Sequence, residues 1–350
     1  MEFVDFKIKE IAKVTAGGDK PKIVSNSYSN ETPIPIYSNG MENDGLYGYT
    51  NIPKVDADTV TISARGVNVG KVCYRETAFL PIVRLLSLIP NRSVINAKYM
   101  YYNLKMMNIS GTGSAQPQIT VPMISELKMH IHKDLIEQEK IASFLSVLDE
   151  KIKNNNRINR NLSEQLKVIF SKMFPTIADN GSNTLEEIIS FSNGKKRPDT
   201  EGKVPVYGGN GILSYTDKSN AENCVIIGRV GAYCGSLYLS IEPCWISDNA
   251  IKAEAKNSKS QMFIYYLLQE LALSNRHIGT SQPLLTQGIL NAIPFTCPSE
   301  EGIISFCKKA NDIQKLIDMN TIENKRLSEL RDTLLPKLMS GELDVSDLNI

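Results

Sequence analysis

The sequence repeats one plan twice, and this duplication constrains the fold more than any other feature of the chain. Residues 8–174 and residues 185–339 each hold a turn-rich, β-like stretch followed by a long amphipathic helix. The first matches recur 177 positions on, with Glu10, Ile11, Gly17 and Pro21 returning as Glu187, Ile188, Gly194 and Pro198. In the helices the offset falls to 165, and Leu162-Ser163-Glu164 returns as Leu327-Ser328-Glu329. The copies therefore differ in length mainly in their β-like parts, as expected if the helices form one scaffold and the globular parts serve two targets.

The β-like parts predict two globular domains of mixed α and β structure. Short apolar or alternating runs between Gly, Asn and Pro are typical of strands, and they occur at residues 59–62, 70–74, 224–228 and 236–239. One helix is predicted inside each domain, at residues 97–107 and 261–273. We therefore expect a first globular domain at 1–132, a long helix at 133–176, a second globular domain at 183–297 and a second long helix at 298–343.

Each long helix carries a seam suited to pairing with another helix. Residues 135–173 contain no proline or glycine, and their seam residues are spaced alternately by three and four, as in a coiled coil. The seam positions are Leu145, Leu148, Ile152, Asn155, Asn159, Leu162, Leu166, Ile169 and Met173, which recur as Ala310, Ile313, Ile317, Asn320, Asn324, Leu327, Arg331, Leu334 and Leu338. Arg331 is the clear misfit, because it places a charged side chain at a seam position. The predicted fold class is α+β, with two globular domains joined by a long antiparallel two-helix coiled coil and related by an internal pseudo-twofold axis.

Asparagines occupy the same two seam positions in both helices, as Asn155 and Asn159 in one and Asn320 and Asn324 in the other. Buried amides cost stability unless they bind one another, so such residues fix register and partner choice. If the helices run antiparallel, these side chains are predicted to meet in a polar layer at the middle of the coiled coil.

Composition narrows the class of protein. With 350 residues, of which 42% are hydrophobic, the chain can fill two cores and is not expected to be disordered. No apolar run approaches the roughly 18 residues of a membrane span, and no signal-peptide core is present, which predicts a cytoplasmic location. The six cysteines show no Cys-x-x-Cys spacing, so reduced thiols are expected and zinc is not. The net charge of +1 neither favours nor excludes a polyanionic partner.

Catalytic residues are not predicted, and neither is a bound cofactor. His130 and His132 alternate on an expected strand and His277 stands alone, so no histidine-based triad or metal cluster is indicated. The Gly-x-x-x-x-Gly-Lys-Ser/Thr motif is absent, so the chain is not expected to bind ATP through a P-loop.

Polar loop residues recur at matching places in both copies, and their chemistry suits contact with phosphates and base edges. Basic residues follow a glycine turn, an arginine follows matching strands at 62–66 and 227–231, and a Gln-Pro loop precedes Thr120 and its counterpart. The candidate DNA contacts are Lys20, Lys22, Asn39, Arg65, Lys71, Gln116, Gln118 and Thr120 in the first copy, and Lys195, Lys196, Arg197, Asn210, Arg229, Tyr233, Ser281, Gln282 and Thr286 in the second. For each loop alone, an ordinary turn is the alternative interpretation.

The helices resemble the repeats of specificity subunits from type I restriction-modification systems. The resemblance is carried by Gln138-Glu139-Lys140-Ile141-Ala142-Ser143-Phe144-Leu145, Leu148-Asp149-Glu150-Lys151-Ile152 and Leu334-Leu335-Pro336-Lys337-Leu338-Met339-Ser340-Gly341-Glu342-Leu343. The Ile-Pro-Ile-Tyr and Val-Pro-Val-Tyr strands, Gly228-Arg229-Val230-Gly231 and the Gly-Thr-Ser-Gln-Pro loop are also similar. The resemblance covers essentially the whole chain.

This resemblance implies a non-catalytic DNA-recognition subunit. Each globular part would be a target-recognition domain that reads one half of a split sequence in double-stranded DNA, while the coiled coil sets the spacing. Two methyltransferase subunits would dock on the chain, and restriction subunits would join them. S-adenosylmethionine, ATP and Mg²⁺ would be used only by those partners. The first recognition domain begins almost at Met1, so an extra N-terminal scaffold segment is not expected.

The sequence leaves three alternative functions to consider. The same fold could be the separate specificity subunit of a type II restriction-modification system, with a partner that both methylates and cuts. It could be a coiled-coil scaffold that binds proteins and not DNA, although two divergent polar domains argue against this. An enzyme would need an acidic or nucleophilic constellation, and the sequence shows none.

Overall fold

The computed structural model describes residues 2–111, 117–178, 181–279 and 282–345. The chain divides into two compact units, one of Met1–Asn154 with Ile322–Ile350 and the other of Asn155–Thr321. Each unit therefore contains one β-rich part together with one segment of each long helix.

The first unit has two main sheets. Its elements are β1 (Phe3–Lys7), α1 (Ile8–Ile11), β2 (Ala12–Ala16), β3 (Ile34–Tyr37), β4 (Leu46–Thr50), β5 (Thr59–Ile62), β6 (Val72–Arg75), β7 (Leu80–Pro81), β8 (Leu86–Pro90), α2 (Ala97–Met106), α3 (Val121–Ser125), β9 (Lys128–His132) and the first part of α4 (Leu135–Met173). Strands in the order β2-β8-β5-β6 form an antiparallel sheet, and β4-β3-β7 form a second sheet in which β3 and β7 run parallel. Strands β1 and β9 pair separately.

The second unit repeats this arrangement. Its elements are β10 (Asn183–Thr184), β11 (Ile189–Asn193), β12 (Val204–Gly208), β13 (Gly211–Thr216), β14 (Cys224–Gly228), β15 (Leu237–Ser240), β16 (Trp245–Ile246), β17 (Ala250–Ala255), α5 (Gln261–Glu270), α6 (Gln287–Asn291), β18 (Pro294–Phe295) and the first part of α7 (Glu300–Ser340). The sheets have the orders β11-β17-β14-β15 and β13-β12-β16, and β10 pairs with β18. Strand for strand, these are the pairings of the first unit.

The duplication extends to the details of the backbone. Strands β3 and β12 each carry a shift in pairing register just before a tyrosine, Tyr37 or Tyr207. The turn between β5 and β6 places Gly66 at φ 79°, and the turn between β14 and β15 places Gly231 at φ 71°. Both values lie in the left-handed region that favours glycine. The predicted repeat is thus present in the fold itself.

The central strands show why these residues form sheets. Strand β14 reads Cys-Val-Ile-Ile-Gly and is buried along its whole length. Successive side chains point to opposite faces: Val225 and Ile227 join the main core of the second unit, whereas Cys224 and Ile226 join a smaller cluster behind it. A strand covered on both faces needs a continuous apolar run, and its sequence provides one.

Segments of the two long helices pack together within each unit. In the first unit, Leu145 of α4 and Leu338 of α7 are fully buried in one core. In the second unit, Phe170 of α4 and Phe306 of α7 share a core, with their ring centroids 5.1 Å apart. The amide of Asn320 donates to the side-chain oxygen of Asn159 at 2.8 Å, also within the second unit. The predicted α+β fold class, with β-rich domains and long packed helices, is confirmed.

The boundaries of some predicted elements differ from the structure. Helix α5 ends at Glu270 instead of 273, because Ala272 adopts a left-handed conformation at φ 45° and stops the helix. Strand β6 starts at Val72 instead of 70, because Gly70 lies in a turn at φ 88°. Arg331 keeps its place in the helix through an ion pair with Asp149 of α4.

Candidate nucleic-acid interface

A basic loop follows a close backbone contact in each unit. A side chain at Gly17 would come within 2.7 Å of the carbonyl carbon of Pro81, and one at Gly194 within 2.0 Å of the carbonyl oxygen of Ser247. Only glycine lets the chain pass so near the ends of β7 and β16. The basic residues that follow are Lys20 and Lys22 in the first unit and Lys195, Lys196 and Arg197 in the second, and all are exposed. Exposed cations on such loops can contact phosphates.

Lys20 has a defined position on its loop. Its ammonium group donates to the hydroxyl of Tyr47 at 2.8 Å and lies 5.0 Å from the centroid of the same ring. The charge is thus held against β4 while the side chain stays exposed to solvent.

Arg65 and Arg229 lie one position apart in the two repeats. Counted from the last paired residues of β5 and β14, Arg65 corresponds to Val230, and Arg229 corresponds to Ala64. The backbone carbonyls of Ala64 and Arg229 accept equivalent hydrogen bonds, of 3.0 and 2.9 Å, from amides just before α3 and α6. The two arginines therefore follow matching strands, as the sequence indicates, but they do not occupy matching sites.

The surroundings of the two arginines also differ. Arg65 is half-buried, and its Nη2 donates to Oε1 of Gln118 at 3.1 Å. Arg229 is half-buried as well, and its Nε is fully buried with no hydrogen-bond partner within the described part of the chain. Ala64, its counterpart, is only 1% exposed. Arg229 therefore places a larger, partly buried side chain where the first unit has the small, buried Ala64.

Asn39 and Lys71 bind other parts of the first unit. The side-chain amide of Asn39 donates to the carbonyl of Val83 at 2.7 Å and accepts from the amide of Ala64 at 2.9 Å. These bonds tie the loop after β3 to the end of β5. Lys71 lies 2.9 Å from the carboxylate of Asp44. Burial opposes ionisation of Asp44, but the hydrogen bond and charge of Lys71 lower its pKa overall.

The Gln-Pro loops are described only in part. Gln116 and Ser281 lie outside the described residues. Gln282 is exposed. The hydroxyl groups of Thr120 and Thr286 accept hydrogen bonds of 3.5 and 3.2 Å from backbone amides and cap the N-termini of α3 and α6. Both threonines thus have a local structural task in addition to any contact with DNA.

The remaining predicted contacts lie on exposed loops of the second unit. Tyr233 is 50% exposed in the short turn before β15, and its counterpart in the first unit is Asn68. Asn210 is exposed at the turn between β12 and β13. These positions are accessible to a ligand and differ in side chain between the repeats.

A cleft beside α2 and its counterpart beside α5 were not identified from the sequence. The first, of about 710 Å³, is lined by charged residues that include Lys105 and Asp149. The second, of about 930 Å³, has Gln269 and Gln314 at the equivalent positions. Burial lowers the pKa of Lys105, although the charge of Asp149 opposes this. Aligning the two copies along the helices would have shown that charged residues are replaced by neutral ones here.

The described residues contain neither a metal-binding cluster nor a helix that could span a membrane. Within the described ranges, no group of three or more His, Cys, Asp or Glu side chains could hold a metal ion. Nδ1 of His130 lies 2.6 Å from the carboxylate of Asp5, and its ring stacks on Phe3. His132 is buried on the same strand, β9. No described helix is both long enough and apolar enough to cross a membrane.

A duplicated β-rich domain on long paired helices, with exposed polar loops that differ between copies, defines the class of protein. A family model for the type I restriction modification DNA specificity domain matches residues 1–164 and 179–331. These two matches follow the two repeats and cover most of the chain. The chain therefore belongs to this family, and the resemblance found in the sequence is confirmed.

Individual relatives agree with this assignment. A putative type I specificity subunit of Mycoplasma pneumoniae, S.MpnORF507P, is 32% identical over 156 residues, which is 44% of this chain and 42% of the relative. The MjaIX specificity subunit of Methanocaldococcus jannaschii is 23% identical over 412 residues, covering 98% of this chain and 94% of the relative. The chain spans less than half the length of the first curated relatives it matches.

A solved structure shares the fold. The crystal structure of the S subunit of a type I restriction-modification system from Mycoplasma genitalium matches with a TM-score of 0.63 at 21% identity. The match covers 97% of this chain and 96% of that one. At this level of identity, the likeness shows the arrangement of the backbone.

Proposed function

We propose that this chain is the DNA-recognition subunit of a type I restriction-modification complex. Each β-rich part would act as a target-recognition domain, at 1–132 and 183–297, and would read one half of a bipartite sequence in double-stranded DNA. The long helices, at 133–176 and 298–343, would set the spacing between the half-sites and dock the methyltransferase subunits. Restriction subunits would join the complex through these partners.

One observation carries this proposal: the two units repeat the same backbone arrangement but differ in the side chains on their loops. Gly66 and Gly231 have similar positive φ values, of 79° and 71°, yet the residue before the glycine is Arg65 in one unit and Val230 in the other. Loops on a repeated scaffold can change without cost to the core, so they are suited to read two different sequences. The family match over both repeats supports the same reading.

The proposed roles of individual residues follow from their chemistry. Exposed lysines and arginines would position the chain on phosphates, and half-buried polar residues near β5 and β14 would contact base edges. Recognition alone needs no bound cofactor. S-adenosylmethionine, ATP and Mg²⁺ would serve the partner subunits, and the complex would act in the cytoplasm, where its DNA is found.

Single-molecule methylation mapping tests this function. The chain is expressed with its neighbouring methyltransferase, and the methyltransferase alone is the control. We expect a motif of two short defined halves around an unspecified spacer, and only when the chain is present. A continuous motif, or the same methylation without the chain, would contradict the proposal. A partner that both methylates and cuts would instead assign the chain to a type II system.

Phosphate contacts give the proposal a second readout. Each phosphate neutralised by a lysine or arginine releases a counterion, so affinity should fall steeply with salt. For about six contacts, the loss between 50 and 200 mM salt would be roughly a thousandfold. Binding of the assembled complex to a duplex with the mapped motif, measured across this range, tests the expectation. A flat salt dependence would argue against the basic loops as phosphate contacts.

A further inference from the structure

A polar pair in the first unit occupies the place of an apolar pair in the second. Arg65 donates from Nη2 to Oε1 of Gln118 at 3.1 Å, and both side chains are half-buried. At the equivalent positions, Val230 and Leu284 are joined by an isolated antiparallel bridge and are also half-buried. The same backbone accepts either pair, so the fold does not require the polar one.

Both pairs lie beside an open part of the surface. The glycines that follow Arg65 and Val230, Gly66 and Gly231, have positive φ, and a side chain added to either would meet no atom within 4 Å. The next residue in the first unit, Val67, is 85% exposed. A large ligand such as double-stranded DNA can therefore approach the backbone here without displacing other parts of the unit.

The polar pair, Arg65 and Gln118, offers a ligand more hydrogen-bond donors than acceptors. Arginine carries only donors, and one of the two lone pairs on the carbonyl oxygen of Gln118 already accepts a hydrogen bond from Arg65. The groups left for a ligand are mostly donors, namely the Nε2 amide of Gln118 and the remaining guanidinium N–H groups, against one lone pair on Oε1 of Gln118. In the major groove, guanine presents two neighbouring acceptors, N7 and O6. Adenine presents an acceptor beside a donor, and this arrangement fits a donor-rich pair less well.

We propose that Arg65 and Gln118 together read a guanine in the half-site of the first unit. Val230 and Leu284 offer no side-chain donor, and at the corresponding place in the other half-site they contact the methyl group of a thymine. This inference rests on the proposed function and names the bases that one site in each unit selects.

Exchanging the two pairs tests the inference on the full chain with its methyltransferase. Arg65→Val with Gln118→Leu copies the second unit into the first, and Val230→Arg with Leu284→Gln does the reverse. We expect the first variant to lose preference for one guanine by about tenfold to a hundredfold, the usual discrimination of a bidentate contact. The other half-site should be read unchanged, which also shows that the complex is folded. The reverse variant should gain a guanine in the other half.

A smaller change guards against a folding defect in the double variants. Gln118→Glu keeps the shape and the bond from Arg65 but replaces the Nε2 donor by an acceptor. We expect preference for the guanine to fall at least tenfold and cytosine, which presents a donor, to gain at that position.

The outcomes separate this inference from the proposed function. A wild-type motif that is not bipartite would refute the function itself. A bipartite motif with no guanine in either half, or one left unchanged by both Gln118→Glu and the exchange, would overturn only the inference. Equal changes in both halves would also overturn it, because each pair belongs to one unit.

Discussion

Arg331 and Asp149 form an ion pair that can be tested by replacing either partner. Within the first unit, Nη1 of Arg331 lies 2.5 Å from the carboxylate of Asp149, and its Nη2 contacts Asp332. The hydroxyl of Tyr102 donates to the other oxygen of Asp149 at 2.8 Å. Replacing Arg331 by leucine makes the seam apolar but leaves the carboxylate of Asp149 without its cation.

The expected cost follows from the burial of the pair. The side chains of Arg331 and Asp149 are 14% and 26% exposed, so most of the pair is shielded from solvent. Removing one member of a fully buried pair costs about 3–5 kcal/mol, while exposed pairs contribute about 0–1 kcal/mol. We expect Arg331→Leu to lower the free energy of unfolding of the first unit by roughly 2–3 kcal/mol, between these limits.

The second unit supplies a matched control. The residues equivalent to Arg331 and Asp149 are Leu166, which is fully buried, and Gln314. The double variant Arg331→Leu with Asp149→Gln therefore copies an arrangement that the same fold already contains. Because no charge is left unpaired, we expect its stability to lie within about 1 kcal/mol of the unsubstituted chain.

Hydrogen exchange is the suitable assay, because a chain of two units need not unfold in one step. Exchange of amides in α2 reports on the first unit, and exchange in α5 provides the internal reference. Arg331→Leu should speed exchange in α2 only, and the double variant should restore it. A double variant as unstable as the single one would refute the argument, since the unpaired carboxylate could not then be the source of the cost.

Three further predictions concern other parts of the fold. Gly194→Ala should lower the free energy of unfolding by about 1–3 kcal/mol, because the new carbon would lie 2.0 Å from a backbone oxygen. Its control is Gly288→Ala in α6, where the nearest atom is 3.9 Å away, and this change should raise the free energy of unfolding by up to about 1 kcal/mol. Thermal unfolding measures both, and equal effects of the two substitutions would contradict the packing argument. Hydrogen bonds from the lysines of β1 and α1 lower the pKa of Glu126 from 4.5 to about 2. Its contribution is therefore present above pH 4.5 and is lost as the pH falls towards 2, so acid titration followed by circular dichroism should be flatter for Glu126→Gln. Asn320→Leu removes the 2.8 Å bond to Asn159 and should keep helical content but make the spacer of the methylated motif variable; an unchanged spacer would show that this pair does not set register.

Much of the fold could be predicted because it depends on local patterns. Residues 224–228 form a strand as expected, since a continuous apolar run suits a strand buried on both faces. Residues 135–173 form one helix, since no proline or glycine interrupts their seam. The glycines at 17 and 194 were matched from spacing alone, and the structure supplies their reason in a close approach to β7 and β16.

The candidate site was less predictable, because contacts between distant residues decide it. Asn39 matched the chemistry of a base contact, yet both of its polar groups bind the backbone of its own unit. Arg65 and Arg229 looked equivalent by their neighbours, but strand register separates them by one position. No periodicity in the sequence reports which side chain meets which across a loop.

The sequence by itself determined the duplication, the two β-rich parts, the long paired helices and the family, because repeats and hydrophobic periods are properties of neighbouring residues. Only the tertiary structure decided that Arg331 has a partner in Asp149 and that Gln118 turns its oxygen towards Arg65. Such pairs join residues 182 and 53 positions apart. Whether a charged or polar group in this chain is free for a ligand depends on packing that brings those distant residues together.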